Sequence, residues 1–292
     1  KELVDQVALE SGFAPKFVEE HGEHSPGKSL FSYAFVPQGI PGVMNGLSTA
    51  DFLWNIQCNV ILQLAAAKMD IFTEKVLALT DEGAAKVEEA VKRNGVNFVI
   101  SLPWKYSGSQ IAIHDIAVNE LGKLNYARFR NCHGGSVDNW LPPHFYNAKE
   151  CGGGAMIDLG AHGMYLTQWI LGVPVTAVSA FTLACERPDV AEKNTDRVED
   201  NAVTVMTYPD GAIAVGETGF VSANDPVVFE VHGELGYVRM EGDRVTKRTA
   251  ATGGQEVEVS VPASDPAPIL QFVTGNVLPG CGMAEAKALT HM

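Results

Sequence analysis

The periodicity of the chain changes at Pro103, and that change restricts the fold more than any single motif does. Before it, short apolar runs alternate with helical stretches. Asp70–Thr73 and Val96–Ser101 read as buried strands. Thr80-Asp81-Glu82 opens a helix that runs to about Asn94, where Gly95 stops it. Phe52–Ile56 reads as another short buried strand, and Val60–Lys68 as a helix rich in Leu and Ala. Strands alternating with helices of this length imply βαβ units and a parallel, doubly wound sheet. After Pro103 and a helix near Gln110–Leu121, strand signals follow one another. They are Leu124–Asn131, Val175–Cys185, Asn201–Tyr208, Ala212–Val221, Val227–His232, Tyr237–Glu241 and Glu256–Val261. Tyr208-Pro209-Asp210-Gly211 is a hairpin turn by composition, and Gly233-Glu234-Leu235-Gly236 a second. One helix, about Ala155–Leu171, interrupts this series. The expected fold class is α/β followed by α+β, a parallel sheet in residues 1–103 and a large, mostly antiparallel open sheet in residues 104–292.

Composition narrows the partners. The chain has 292 residues, 46% hydrophobic and 19% charged, which is ordinary globular composition and excludes wholesale disorder. Its net charge of −14 argues against nucleic acid and anionic membrane surfaces, because nothing concentrates Lys or Arg to offset phosphate. Cys58, Cys132, Cys151, Cys185 and Cys281 are an odd number with no Cys-x-x-Cys. A zinc ribbon and a disulfide framework are both disfavoured, and a reducing cytoplasm fits best. The mostly apolar stretch Phe52–Ala67 holds Asn55, Gln57, Asn59 and Gln63, which is too polar to span a bilayer. The N-terminus has no apolar signal core. It opens on Lys1 rather than Met, which reads as a fragment or a processed product.

The residues that could carry chemistry cluster in a few places. In Gly152-Gly153-Gly154-Ala155-Met156-Ile157-Asp158-Leu159-Gly160-Ala161-His162, three glycines turn the backbone into a helix N-terminus. Free N–H groups there can hold hydroxyls or anions. Asp158 and His162 are spaced i, i+4, so a regular helix puts both on one face. A carboxylate beside an imidazole orients the ring and suits a general base. The plainer account is an Asp complementing the helix dipole and a satisfied core histidine. Gly160 and Gly163 each cost about 1 kcal/mol in a helix interior, tolerated where a backbone or a ligand must come close. Glu74 and Lys75 follow a buried strand, and ligands of parallel sheets collect beyond the carboxyl ends of the strands. A surface Lys paired to Glu74 is the alternative.

Other features are weaker. Gly22–Ser29 fits Gly-x4-Gly-Lys-Ser around Lys28, but the preceding segment is short and acidic and the following one looks like strand, so a phosphate loop is not expected. Glu19, Glu20, His21, Glu23 and His24 crowd one segment, where a solvated acidic loop is preferred to a metal site. We therefore assign no metal. His133, Trp140 and His144 flank the Gly-rich turn, as residues lining a polyol pocket do, although packing accounts for each equally well.

On these residues the chain resembles the glucose–fructose oxidoreductase / inositol dehydrogenase (Gfo/Idh/MocA) family from about Asp51 onward. The carriers are Phe72–Thr80, Val96–Ser101, Gly152–His162, Val198–Ala202 and Asp210-Gly211-Ala212. The resemblance implies a Rossmann-like domain, here incomplete at its N-terminus, followed by an open-sheet domain that serves as an oligomer interface. It implies a homo-oligomeric, NAD- or NADP-dependent oxidoreductase acting on the secondary hydroxyl of a sugar or cyclitol. The family's Glu-Lys-Pro motif matches Glu74-Lys75, with Val76 in place of Pro. Its Asp-x3-His matches Asp158 and His162. By this resemblance Lys75 would contact nicotinamide and the reacting hydroxyl, His162 would take the proton, and Asp158 would orient both substrate and imidazole. Glu74 and Asn59 would stand on the cofactor side, and His133, Trp140 and His144 on the substrate side. The family's Gly-x-Gly-x-x-Gly fingerprint is not found, since Gly39, Gly42 and Gly46 are spaced differently. That departure motivates the alternative of a non-catalytic relative acting as a binding or assembly module.

Overall fold

The computed structural model describes residues 33–36, 52–185 and 197–292. The acidic segment with His21 and His24, Lys28, and the glycines Gly39, Gly42 and Gly46 lie outside the described residues. The chain divides into two compact units. One runs to Ser101 and takes up Pro268–His291; the other is Leu102–Ala267.

The first unit is built on a three-stranded parallel sheet of β1 (Tyr33–Val36), β2 (Asp70–Thr73) and β3 (Phe98–Ile100), in that order. Helix α1 (Phe52–Ala66) joins β1 to β2, and α2 (Asp81–Asn94) joins β2 to β3. The segment Phe52–Ile56, expected as a strand, is instead the first part of α1. A mostly apolar run of five residues has no period of its own, and the Leu/Ala-rich stretch behind it extends the helix backwards. In α2 the sequence logic holds in detail. Thr80 Oγ1 accepts from the Gly83 N–H at 3.1 Å, and Gly95 closes the helix in the left-handed conformation. Ala84, Val87, Ala90 and Val91 form its buried face. Helices α5 (Pro268–Thr274) and α6 (Met283–His291) pack in this unit, although the sequence-based boundary placed all of 104–292 elsewhere. The Ile100 N–H donates to Cys281 O at 2.9 Å, Lys287 pairs with Glu88, and Phe272 meets Phe72 with ring centroids 5.7 Å apart. Nothing in the pattern of a short amphipathic helix says which sheet it covers.

The second unit is an eight-stranded sheet in the order β11-β10-β9-β8-β4-β7-β6-β5. Its strands are β4 (Leu124–Cys132), β5 (Thr176–Thr182), β6 (Asn201–Thr207), β7 (Ile213–Gly219), β8 (Val228–Gly233), β9 (Gly236–Glu241), β10 (Arg244–Thr249) and β11 (Val257–Glu258). All pairings are antiparallel except β4 with β7. Both expected hairpins form, between β6 and β7 and between β8 and β9. Strand β10 was not expected from its polar sequence Arg-Val-Thr-Lys-Arg-Thr, in which only the alternation marks a strand. Helices α3 (Gly108–Glu120) and α4 (Ala161–Leu171) cover one face. That face buries Ala127, Phe129, Val231, Val238 and Met240. The other face is open. Across β5 and β6 it exposes Val178, Val203 and Val205. Across its middle it carries ion pairs of Arg128 and Arg130 with Glu217, and of Arg239 with Glu230. None of the described helices is long and apolar enough to cross a membrane.

Candidate active site

In the first unit, burial of Ile71 and Phe72 draws β2 into the core and leaves Glu74 and Lys75 at its carboxyl end. Gln57 of α1 holds this end. Its Nε2 donates to Thr73 Oγ1 at 3.0 Å and lies 3.2 and 3.3 Å from the carbonyls of Glu74 and Val76. The Ser101 N–H donates to Thr73 O at 2.8 Å from the β3 side. The Lys75–Val76 peptide is cis. Lys75 is only 4% exposed, so it is not the solvated surface lysine of the plainer account. Burial raises the Glu74 carboxyl above its ordinary range, against a hydrogen bond from the Ser101 side chain and the Lys75 charge, which favour ionisation. Asn59 lies exposed on α1. Burial also pushes up the Cys58 thiol, beside Leu77 O at 3.8 Å.

In the second unit the Gly-rich turn is arranged differently from a ligand cradle. The N–H groups of Gly152, Gly154, Ala155 and Met156 are occupied by the chain itself. Glu199 accepts from the Gly154 N–H at 3.2 Å and the Met156 N–H at 2.9 Å, while its own carbonyl accepts from Ala155 at 3.1 Å. The helix expected from Ala155 is not regular either. Met156–Gly160 is a π-helical turn that precedes α4. The wider turn loosens the carbonyl ladder, and side chains of the sheet satisfy it. Thr218 Oγ1 donates to Ala155 O at 3.0 Å, and Asn131 Nδ2 donates to Leu159 O at 3.3 Å. The two helix glycines face protein rather than backbone or ligand. A Cβ at Gly160 would lie 2.5 Å from Met156 Sδ, and one at Gly163 would lie 2.2 Å from Phe129 Cδ1.

His162 stands at the start of α4, where its ring stacks on Trp104, with centroids 4.7 Å apart and planes at 25°. At Nδ1 its partner is a phenol: Tyr165 Oη is 2.8 Å away. The same oxygen accepts from the Trp104 backbone N–H at 3.2 Å, and Tyr165 is 1% exposed. Asp158, four residues before His162, acts on His133, whose imidazolium its charge favours. His133 leaves the end of β4 and stacks on the buried Phe220 at 5.1 Å, with the Trp140 ring tilted against it at 4.6 Å. The Gly135 N–H donates to His133 Nδ1 at 3.1 Å. Burial holds the His133 pKa below the usual histidine value, with Asp158 opposing. His144 sits on the turn Pro143–Tyr146 against Phe145, which in turn meets Phe220 edge-on. His133 and Phe145 thus meet on Phe220, with Trp140 against His133, His144 against Phe145 and the Asp158 charge felt at His133, and Trp140 is largely exposed. Among the described residues, no cluster of three or more His, Cys, Asp or Glu side chains could hold a metal ion.

Four contributors were not assigned to a site from the sequence. Tyr165 lies three residues after His162, so the helical spacing could have shown it. Gln57, Trp104 and Glu199 reach their partners from distant segments, and no local pattern carries that information.

Three comparisons bear on this arrangement. Residues 112–239 match the family model described as the GFO/IDH/MocA C-terminal domain. A curated relative, the uncharacterized oxidoreductase YrbE of Bacillus subtilis (strain 168), is 26% identical over 161 residues. That match covers 55% of this chain and 44% of the relative, so the chain aligns with less than half of the relative's length. Among solved structures, the aldose-aldose oxidoreductase of Caulobacter crescentus, complexed with glycerol, superposes with a TM-score of 0.68 at 16% identity. It covers 82% of this chain and 72% of its own. A levoglucosan dehydrogenase in complex with NADH gives 0.68 at 18% identity, over 80% of this chain and 72% of its own. These likenesses establish the shared fold, a small parallel sheet with a large, mostly antiparallel one.

Proposed function

We propose that this chain, whose residues 112–239 are a GFO/IDH/MocA C-terminal domain, is an NAD- or NADP-dependent oxidoreductase acting on a secondary hydroxyl of a sugar or cyclitol. One observation carries the reading. His162 lies on a helix of that domain with its ring fixed on both a face and an edge, stacked on Trp104 and bonded at Nδ1 to Tyr165. An imidazole so held has its second nitrogen aimed, as a general base requires. The levoglucosan dehydrogenase and aldose-aldose oxidoreductase neighbours support the substrate class, and the NADH in the former supports the cofactor.

The residues at the carboxyl end of β2 suit a nicotinamide. They offer a buried lysine at Lys75 and, at Glu74, a carboxyl whose pKa burial raises. A bound nicotinamide supplies the hydride acceptor. The rest falls to the chain. His162 takes the hydroxyl proton at Nε2. Lys75 stabilises the developing alkoxide electrostatically. Asp158 orients the substrate, and His133, Trp140 and His144 line the polyol, with Trp140 offering its ring to apolar C–H faces. Glu74 and Asn59 are assigned to the cofactor side. Self-association through the open sheet and residence in the cytoplasm complete the reading.

Turnover followed by nicotinamide absorbance, with glucose, xylose, levoglucosan and myo-inositol as probes, tests it. His162→Ala and Lys75→Ala should each lower kcat by roughly 10²–10⁴-fold. Turnover unchanged in either variant removes the role assigned to that residue. The spacing of Gly39, Gly42 and Gly46, which departs from the dinucleotide fingerprint, favours a second reading, a non-catalytic binding or assembly module. Calorimetric titration with NAD(H) and NADP(H) separates the two. Sub-micromolar binding of either removes the module, and silence up to millimolar concentration favours it.

A further inference from the structure

We infer that His133 is a specificity-determining residue whose ring is fixed to present one N–H donor, at Nε2, to an uncharged substrate hydroxyl, an inference that rests on reading its surroundings as the polyol side of the site. In Cys132-His133-Gly134-Gly135 two glycines follow the histidine, and the ring uses the second. A Cβ at Gly135 would lie 2.9 Å from His133 Cε1 and 3.0 Å from its Nδ1, so the ring rests where a side chain would otherwise stand. Phe220 stacks on the ring with planes at 13°, and Trp140 leans on it at 47°. The backbone is held as well. The His133 N–H donates to Gly219 O at 2.9 Å, and His133 O accepts from the Ser222 N–H at 3.2 Å.

The polarity of the ring follows from this setting. A backbone amide can only donate, so the 3.1 Å bond from the Gly135 N–H requires a lone pair at Nδ1. A neutral imidazole carries one N–H, which is then at Nε2. A proton at Nδ1 would stand against the Gly135 hydrogen, even if it turned toward the residue's own carbonyl. Among the described residues no acceptor takes the Nε2–H, and since that nitrogen is not buried, water serves it in the free protein. A ligand that displaces the water must bring an acceptor in its place. Asp158 narrows the choice, because its negative charge acts on the same ring. A neutral imidazole offers no charge to offset a carboxylate or phosphate, and the Asp158 charge repels one. An ammonium or amide N–H would face the ring's own donor. An uncharged oxygen satisfies all of these conditions, and in a polyol that is a hydroxyl accepting from Nε2–H.

Long-range ¹H–¹⁵N spectra of the ¹⁵N-histidine-labelled chain read the ring directly, with position 133 assigned by its loss in His133→Gln or His133→Phe. At neutral pH Nδ1 should show the shift of an unprotonated nitrogen and Nε2 that of a protonated one. The reverse pattern, or an imidazolium, overturns the inference. With NADH or NADPH present, at least one of glucose, xylose, levoglucosan and myo-inositol should move the Nε2 signal. A signal unmoved by all four overturns the inference, and these wild-type spectra decide even if a variant fails to fold. In turnover, His133→Phe keeps a stacked ring and should raise KM about 10-fold with kcat nearly unchanged, as expected for one lost hydrogen bond. His133→Gln, whose amide nitrogen can donate from nearly the same point, should recover most of that loss. Across monodeoxy analogues of the preferred sugar, the KM penalty of His133→Phe should vanish at one position and persist at the rest. A penalty at every position, or one carried mainly by kcat, overturns the inference. Turnover with Nε2 unmoved overturns it and leaves the oxidoreductase reading standing. Sugar-dependent Nε2 shifts without turnover support it and count against that reading.

Discussion

A methyl group added at Gly163 would stand 2.2 Å from Cδ1 and 2.6 Å from Cγ of Phe129, a ring that is itself 1% exposed. Two effects oppose each other in Gly163→Ala. Alanine gains roughly 1 kcal/mol of helix propensity. Overpacking a filled core loses roughly 1–3 kcal/mol, because Phe129 cannot withdraw. We expect the clash to win, so the variant unfolds at lower denaturant than wild type with an unchanged slope; a midpoint at or above wild type refutes this. His133 offers a second test at this scale. Burial lowers its pKa and the Asp158 charge partly restores it. Asp158→Asn should therefore lower the His133 pKa further, read from the imidazole proton shifts in an NMR titration. The linkage follows in sign. Below an unfolded pKa of about 6.5 the unfolded chain binds this proton more readily than the native one. The contribution of His133 is thus present above that pH and is lost as pH falls through the native value. An unmoved or raised pKa in Asp158→Asn contradicts the stated balance of burial and charge.

The π-turn Met156–Gly160 depends on partners outside its own segment. Glu199 closes the N-terminal N–H groups, and Thr218 and Asn131 close the carbonyls. Glu199→Ala should destabilise the second unit by roughly 1–2 kcal/mol, the usual range for a lost cap, measured by denaturant unfolding. A loss under a few tenths would mean that solvent replaces the carboxylate. This dependence also explains what the sequence could and could not say. Elements whose signals are local were readable. Thr80, Asn94 and Gly95 bound α2, and Tyr208–Gly211 makes its turn wherever the chain lies. Phe52–Ile56 reads ambiguously because five residues carry too few turns to separate period 2 from period 3.6. Strand β10 was overlooked because charge hid its alternation. At the site, the motif spacing nominated Lys75, Asp158 and His162. A π-turn in place of a regular helix, and a glutamate 43 residues away occupying its N–H groups, depend on tertiary contacts that no spacing encodes.

Across the whole chain, charge and the open sheet must be read together. Glu217 sits between Arg128 and Arg130 on the open face, and its hydrogen bonds from Arg128, then Arg130, hold its pKa below the usual carboxylate range. A depressed native pKa contributes stability above the unfolded value, about 4.3, and loses it as pH falls through the native one. Glu217→Gln should therefore flatten the acid limb of stability against pH and leave that limb's shape above pH ~5 unchanged. The same face decides how copies meet under the proposed self-association. Its centre is already neutralised within one chain, by Arg128 and Arg130 on Glu217 and by Arg130 on Asp225. What remains for a partner is the apolar flank of Val178, Val203 and Val205, 71%, 42% and 41% exposed. Each copy also brings a net charge of −14, which opposes approach. Salt screens that repulsion and leaves apolar burial intact, so the apparent mass in sedimentation should rise with ionic strength. Association driven by ion pairs would respond with the opposite sign. Val178→Lys combined with Val205→Lys should return the chain to monomer at every salt concentration, and a mass that falls with salt, or that survives the double substitution, places the interface elsewhere.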